Sequence, residues 1–136
     1  MSKLKVLSIV VLVFAIALAC VPSNTITETA TEAEFNEVGF EYAEGQFTAD
    51  FQPGKIVLTG EIEGEETIIE LGVEVVDGEA AFKLLSVTMG GEELAQDVFD
   101  QVDKDLSVVF HTPEEGYAVT DVTITDDEMT VTSTRQ

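Results

Sequence analysis

Residues 55–89 read KIVLTGEIEGEETIIELGVEVVDGEAAFKLLSVTM. Apolar and polar residues alternate through most of this stretch, which is typical of β-strands that bury one face. The turn signals GEE at 64–66 and VDGE at 76–79 interrupt the alternation, and the Asp-Gly pair in the second favours a tight hairpin. The stretch therefore predicts three consecutive antiparallel strands, the centre of a larger sheet.

The sequence on either side extends this sheet. Residues 46–51, QFTADF, alternate in the same way and lead into a Pro-Gly turn, so they predict the first strand of a four-strand meander. Residues 117–126 and 128–135 carry the same alternation around a polar turn. They predict a C-terminal hairpin and bring the sheet to about six strands.

Two helices are predicted beside the sheet. Thr31 and Glu34 have the spacing of a capping box, which predicts a short N-terminal helix over 32–38. Residues 90–110 are predicted to hold the one long helix, since four apolar residues recur in it at helical spacing. They are Leu94, Val98, Val102 and Leu106. The predicted fold class is therefore α+β, with an antiparallel sheet covered by the long helix.

The strand predicted at 80–89 differs from its neighbours because strict alternation makes both of its faces apolar. A strand of this kind needs cover on both sides. Either it is a central strand between a helix and another element, or an apolar ligand such as an acyl chain lies in the concavity of the sheet. The candidate ligand-binding residues, which would equally form an ordinary core, are Phe82, Leu84, Leu85, Val87, Met89, Val98, Val102 and Leu106.

The N-terminus has the pattern of a secretory signal. Lys3 and Lys5 precede the uncharged run 6–19, which is shorter than the roughly 20 residues that span a bilayer as a helix. Small residues close the run, as they do before a cleavage site. An ordinary signal cut after Ala19 would leave a free thiol at Cys20, and an uncleaved anchor is disfavoured by the short run.

Leu18, Ala19 and Cys20 resemble the lipobox of bacterial lipoproteins. The resemblance implies that the signal 1–19 is removed and that Cys20 is diacylated, which attaches the chain to a membrane. Two acyl chains give stable attachment where one gives marginal binding. The predicted organisation is then the signal peptide, an acylated cysteine with a polar tether over 20–31, and one α+β domain over 32–136.

The charge excludes one class of function. The chain has 27 acidic and 6 basic residues, a net charge of −21. The predicted mature chain keeps four basic residues and a net charge of −23, because Lys3 and Lys5 lie in the signal. Nucleic acid is excluded as a partner, since phosphate binding needs clustered Lys and Arg. Solubility, a high-salt habitat and binding of cations or basic partners all remain open as reasons for the acidity.

The sequence carries no recognisable catalytic motif, so it predicts a protein that is not an enzyme. His111 is the single histidine, and no Gly-x-Ser-x-Gly elbow accompanies it. A zinc site lacks ligands if Cys20 is acylated. Asp97, Asp100 and Asp103 lack the spacing of a calcium loop and predict a solvated helix face. Neither a metal nor a cofactor is predicted.

The segments TEAEFNEV (31–38), KIVLTGEIEG (55–64), VTMGGEELAQDVFDQVDKDL (87–106) and VTDVTITDDEMTVT (119–132) resemble, in order and pattern, small bacterial extracytoplasmic proteins. In that group a curved antiparallel sheet wraps a long helix, and some members bind lipids. The resemblance implies a lipid-handling or envelope-maintenance role and no catalytic residue.

Two functions are therefore expected. The first is a membrane-tethered, extracytoplasmic lipoprotein that binds a lipid or other apolar ligand between sheet and helix. The alternative is a structural or interaction lipoprotein whose partner is another envelope protein. In both cases the predicted location is the cell envelope, with Cys20 anchored on the outer side of the cytoplasmic membrane or in the outer membrane.

Overall fold

The computed structural model describes residues 15–16 and 24–136, which form eleven β-strands and two α-helices. In chain order the elements are β1 (Ala15–Ile16), β2 (Thr25–Thr31), α1 (Glu32–Val38), β3 (Phe40–Tyr42), β4 (Gly45–Gln52), β5 (Lys55–Ile62), β6 (Glu65–Val76), β7 (Glu79–Met89), β8 (Glu92–Glu93), α2 (Gln96–Leu106), β9 (Val109–His111), β10 (Tyr117–Ile124) and β11 (Glu128–Arg135). The fold is mainly antiparallel β-sheet with two helices, so the predicted class is right in outline, with more strand than expected.

The strands form two sheets, whereas a single sheet of about six strands was predicted, because the C-terminal hairpin pairs with β2 and does not join the meander. The terminal sheet has the order β1-β2-β11-β10, and the curled sheet has the order β3-β4-β5-β6-β7-β8, with β9 also paired to β7. The predicted four-strand meander is β4 to β7, and the predicted hairpin is β10 and β11. The short helix is confirmed as α1, where Thr31 and Glu34 make both bonds of the capping box.

The predicted tether is wrong over its second half. Thr25–Thr31 is strand β2, which pairs with β11 along its length and contributes the fully buried Ala30. Its polar residues are mostly threonines, which are β-branched and favour strands. Residues 25–31 therefore belong to the sheet, and the domain extends further towards the N-terminus than the predicted boundary at residue 32.

The predicted long helix is also too long at both ends. Glu92–Glu93 pairs with Thr88 and Met89 as β8, and the residues after Ser107 leave α2 to pair with β7 as β9. The backbone N–H of Phe82 donates to the carbonyl of Val108 at 2.9 Å. The edge of β7 needs a hydrogen-bonding partner, and the β-branched residues after the helix supply one.

A β-bulge interrupts the apparent two-sided character of β7. Glu70 pairs with Ser86 while the next residue, Leu71, pairs with Leu84, so Leu85 is the extra residue. Such a bulge reverses the alternation beyond it. As a result Leu84 and Val87 are both buried on the concave face, while Leu85 is 46% exposed. The second apolar face predicted for β7 is therefore left uncovered at Leu85, whereas Ala80, Ala81 and Phe82 at the start of the strand are buried in succession, so both faces are covered there.

The curled sheet forms a half-barrel that α2 closes. The hydroxyl of the buried Tyr42, on β3, donates to Asp105 Oδ2 of α2 at 2.9 Å. On the other side, the backbone N–H of Leu84 in β7 donates to Ser107 Oγ just after the helix, also at 2.9 Å. The C-terminal end of α2 thus links two strands that lie far apart in the sheet order.

Helix α1 covers the part of β4 that β3 does not reach. Asn36 accepts from the backbone N–H of Ala49 at 2.7 Å and donates to its carbonyl at 3.0 Å. Glu32 accepts from the N–H of Phe51 at 2.7 Å. Side chains of the helix therefore replace a neighbouring strand, which leaves these buried backbone groups satisfied.

The hydrophobic core that the described residues form lies within the domain. Both clusters of buried apolar residues draw on positions between Phe35 and Val131 only. A chain that starts at Asn24 therefore carries the whole described core, together with strands β2 to β11.

Candidate apolar binding site

A cavity of about 180 Å³ lies between the N-terminal half of α2 and the concave face of the curled sheet. It is lined by Tyr42, Ile62, Glu63, Ile69, Val87, Met89, Leu94, Val98 and Val102. Eight of these nine side chains are apolar or aromatic and one is a carboxylate. The volume is near that of an engineered 150 Å³ protein cavity that binds benzene and below the 300–1,000 Å³ of most drug-sized sites.

The structure brings four of the eight predicted ligand-binding residues into this cavity, and they are Val87, Met89, Val98 and Val102. The others lie elsewhere. Phe82, Leu84 and Leu106 are buried in the main core, where they contact other side chains. Leu85 points away from the concave face, since the bulge turns it outward.

Sequence reasoning missed five lining residues. The alternation of residues 55–89 puts Ile62 and Ile69 on the apolar faces of their strands, but the curl that brings them under α2 has no local signal. Tyr42 lies on a three-residue strand that was not predicted. Leu94 was assigned to the long helix, and Glu63 lies in the β5–β6 turn. The alternation of Phe40 and Tyr42, just after the glycine that ends α1, is the one signal that could have identified β3.

The C-terminal half of α2 fixes one side of the cavity. Val102 and Leu106 are buried, and the helix end is held by the Tyr42–Asp105 hydrogen bond. Ser107 Oγ donates to Asp103 Oδ1 at 2.6 Å while it accepts from β7. This half of the helix is therefore attached both by packing and by directional bonds.

The N-terminal half of α2 is attached far more loosely. Its N-cap residue, Ala95, has no side chain that can bond to the free backbone N–H groups of the first turn. Val98 is 40% exposed although it lines the cavity, and Leu94 and Phe99 are partly buried. Leu94 and Phe99 pack against the main core, but partly exposed side chains and an uncapped end are features of segments that open locally.

A second cavity of about 230 Å³ adjoins the first beside the start of α2. It is lined by Leu85, Ser86, Val87, Glu93, Leu94, Gln96 and Phe99. Val87 and Leu94 line both cavities. The two spaces are therefore neighbours with Leu94 between them, the second being the more polar.

The electrostatics of the site are negative. The four basic residues of the described part, Lys55, Lys83, Lys104 and Arg135, line neither cavity. Lys55 forms an ion pair with Glu70, and hydrogen bonds from Lys55 and Ser86 lower the pKa of Glu70. Burial, followed by the hydrogen bond to Asp105 and its charge, raises the pKa of Tyr42, which stays protonated as a donor.

Metal binding, histidine chemistry and membrane spanning each find little support in the described part of the chain. No group of three or more His, Cys, Asp or Glu side chains within residues 24–136 is arranged to hold a metal ion. His111 lies between the two sheets with Nε2 3.5 Å from Glu28 Oε1, and it lines neither cavity. No helix among the described residues is long and apolar enough to cross a membrane, and Cys20 lies outside them.

Comparisons with protein-family models, with curated proteins and with solved structures find no match to this chain. The functional interpretation therefore depends on the chain's own residues and on the geometry of the cavity.

Proposed function

We propose that the protein is a non-catalytic, membrane-tethered lipoprotein of the cell envelope that binds a small apolar ligand under α2. The observation that carries the ligand part is the first cavity, whose lining is almost wholly apolar. The lipid anchor part depends on the lipobox-like sequence that ends at Cys20.

The size of the cavity limits the ligand. About 180 Å³ accommodates a ring-sized group or part of an aliphatic chain. Burying such a group contributes about 25 cal/mol for each Å² of apolar surface removed from water. The bound group would also bury more of Val98, which lines the cavity and is 40% exposed.

The anchor would hold the domain close to the membrane. Only residues 21–24 separate Cys20 from the start of β2, and an extended chain covers at most ~3.5 Å for each residue. Five steps of the chain lead from Cys20 to Thr25, so the start of β2 is within roughly 18 Å of Cys20, less than half of the ~42 Å that a twelve-residue tether would allow. An apolar ligand could pass between membrane and cavity over this short distance.

Ligand binding is tested on the chain from Asn24 to Gln136, purified from a bacterial host and measured by native mass spectrometry and by titration with hexanol. We expect a co-purified apolar molecule, or saturable hexanol binding. Val98→Phe should abolish it by filling the cavity, whereas Val38→Phe should leave it unchanged. Val38 is the matched control because it is also an exposed helical valine, at 48% exposure, and lines neither cavity. A protein that carries no co-purified ligand and does not bind hexanol would contradict the proposal.

The anchor is tested separately on the full chain. Labelled palmitate should be incorporated in a bacterial host, and Cys20→Ser should abolish incorporation and release the protein from the membrane fraction. Incorporation that survives the serine substitution would show that the anchor is elsewhere.

One observation favours the alternative of an interaction lipoprotein without a ligand. The first cavity is smaller than most ligand sites, while several large apolar residues are exposed elsewhere, among them Val75, Val76 and Val109. Under this alternative the domain is empty and the Val98→Phe variant behaves like the wild type.

A further inference from the structure

The two cavities together form a longer site than either alone. Each is below the usual lower limit of ~300 Å³ for ligand sites. Leu94 lines both, it packs against the main core while still partly exposed, and it lies just before Ala95, the N-cap residue of α2, whose side chain makes no capping bond. A change of the Leu94 rotamer, or a small shift of this segment, would join the spaces into one channel for a linear chain.

The lining changes in character along this channel. The first cavity is apolar apart from Glu63, whereas the second offers Ser86, Glu93 and Gln96. A ligand with a tail and a polar head would place the tail in the first cavity and the head in the second. Glu93 is then the charged group nearest to the head.

The sign of the head group follows from the charges around it. The N-terminus of a helix carries roughly half a positive charge and by itself favours an anion. Three full negative charges, those of Glu92, Glu93 and Asp97, flank the start of α2. No basic residue of the described part lines the site, and the chain has a net charge of −21. The carboxylates outweigh the helix dipole, so the site disfavours fatty-acid carboxylates.

We infer that the ligand is a cationic amphiphile, a linear aliphatic chain that ends in an ammonium group beside Glu93. This inference rests on the proposed function, since it takes the cavity under α2 to be a ligand site. It assigns the acidic residues at the start of α2 a role in selecting the charge of the ligand.

The experiment compares three probes with the same ten-carbon tail, below their micelle concentrations, by calorimetry on the chain 24–136. They are decyltrimethylammonium, decyl maltoside and decyl sulfate. We expect the ammonium probe to bind about fivefold more tightly than the uncharged one, the gain of one partly solvated charge pair. The sulfate probe should bind most weakly.

Three glutamate variants, each of which removes one negative charge, show which residue produces the preference for the ammonium probe. Glu93→Gln should bring the ammonium and maltoside affinities to within about twofold. Glu114→Gln, in an exposed loop that lines neither cavity, should leave the preference intact. Glu63→Gln should reduce it less than Glu93→Gln, because it lies beside the tail. A larger effect of Glu63→Gln would overturn the assigned orientation.

The outcomes separate this inference from the proposed function. If all three probes bind equally, or if the sulfate binds most tightly, the cationic ligand is wrong while the apolar site stands. If none of them binds, the apolar site itself is wrong. Preference for the ammonium that survives Glu93→Gln would show that overall charge, rather than this site, selects the probe.

Discussion

The two halves of α2 belong to one helix but are held in different ways. The half that ends at Leu106 buries its apolar residues and bonds to β3 and β7 through Asp105 and Ser107. The half that begins at Gln96 has no cap and leaves Val98 exposed above a cavity. One end of the helix is thus fixed to the half-barrel, and under the proposed function the other end would admit the ligand.

The largest expected effect is at the firmly held end. Leu106→Ala should lower the free energy of unfolding by about 2–5 kcal/mol, because the side chain is buried and its removal leaves a cavity in the main core. Urea denaturation measures the loss. A loss below about 1 kcal/mol would mean that this end of the helix is no better packed than the other.

Val98 and Val102 lie one turn apart on α2, one in each half of the helix, so the same valine-to-alanine change can be compared between the halves. Val102→Ala should cost about 2 kcal/mol, since Val102 is 4% exposed, whereas Val98→Ala should cost about 0.5 kcal/mol or less. Both variants are measured by the same denaturation experiment. Equal losses would remove the contrast between the two halves.

Tyr42→Phe removes the hydrogen bond that attaches α2 to β3. We expect a loss of about 1.5 kcal/mol, since Asp105 is a charged acceptor but partly solvated. Its other oxygen keeps the bond from Gln101. Ligand affinity should change less than stability, because the phenylalanine ring keeps the apolar surface that Tyr42 contributes to the cavity lining.

The same bond predicts a pH dependence. The pKa of Tyr42 is raised in the folded state by burial and by Asp105, while the unfolded value is about 10. The stabilisation is therefore fully present below about pH 10 and is lost as the pH rises from there through the folded pKa. Denaturation series at pH 8 to 11 should show a steeper fall for the wild type than for Tyr42→Phe. Parallel curves would contradict it.

The smallest effect concerns the loosely held end. Ala95 has φ −59° and ψ 148°, a conformation in which serine caps a helix, so Ala95→Ser should raise stability by about 0.5–1 kcal/mol. If looseness at this end admits the ligand, the same variant should slow association in stopped-flow binding. Faster association would show that the start of α2 does not control entry.

Local sequence patterns predict those elements of the fold that depend on local chemistry. The capping box of α1, the alternation of β4 to β6 and the C-terminal hairpin all appear where expected. Strands that depend on a distant partner do not: β2 needs β11, and β9 needs the edge of β7. Helical periodicity extends the predicted helix over residues 108–110. It cannot show that the edge of β7 lacks a hydrogen-bonding partner, which is why these residues leave the helix.

The candidate site shows the same limit. Val98 and Val102 were identified from helical spacing, and both line the cavity. Leu85 was placed with them by strict alternation, which the bulge opposite Glu70 and Leu71 breaks. Gly72 on β6 lies beneath Leu85, and a Cβ at position 72 would come within 3.3 Å of Leu85 Cδ1. The sequence shows the glycine, but only the strand pairing shows that it makes room for Leu85.

The most direct test of the cavity is a methyl NMR titration of the chain 24–136 with hexanol. If the cavity binds hexanol, the methyl resonances of Val87, Val98 and Val102 should shift saturably. Those of Val119 and Val131, in the second core cluster, should not change. No saturable shift, or shifts centred on the exposed Val75 and Val109, would contradict the proposed binding site.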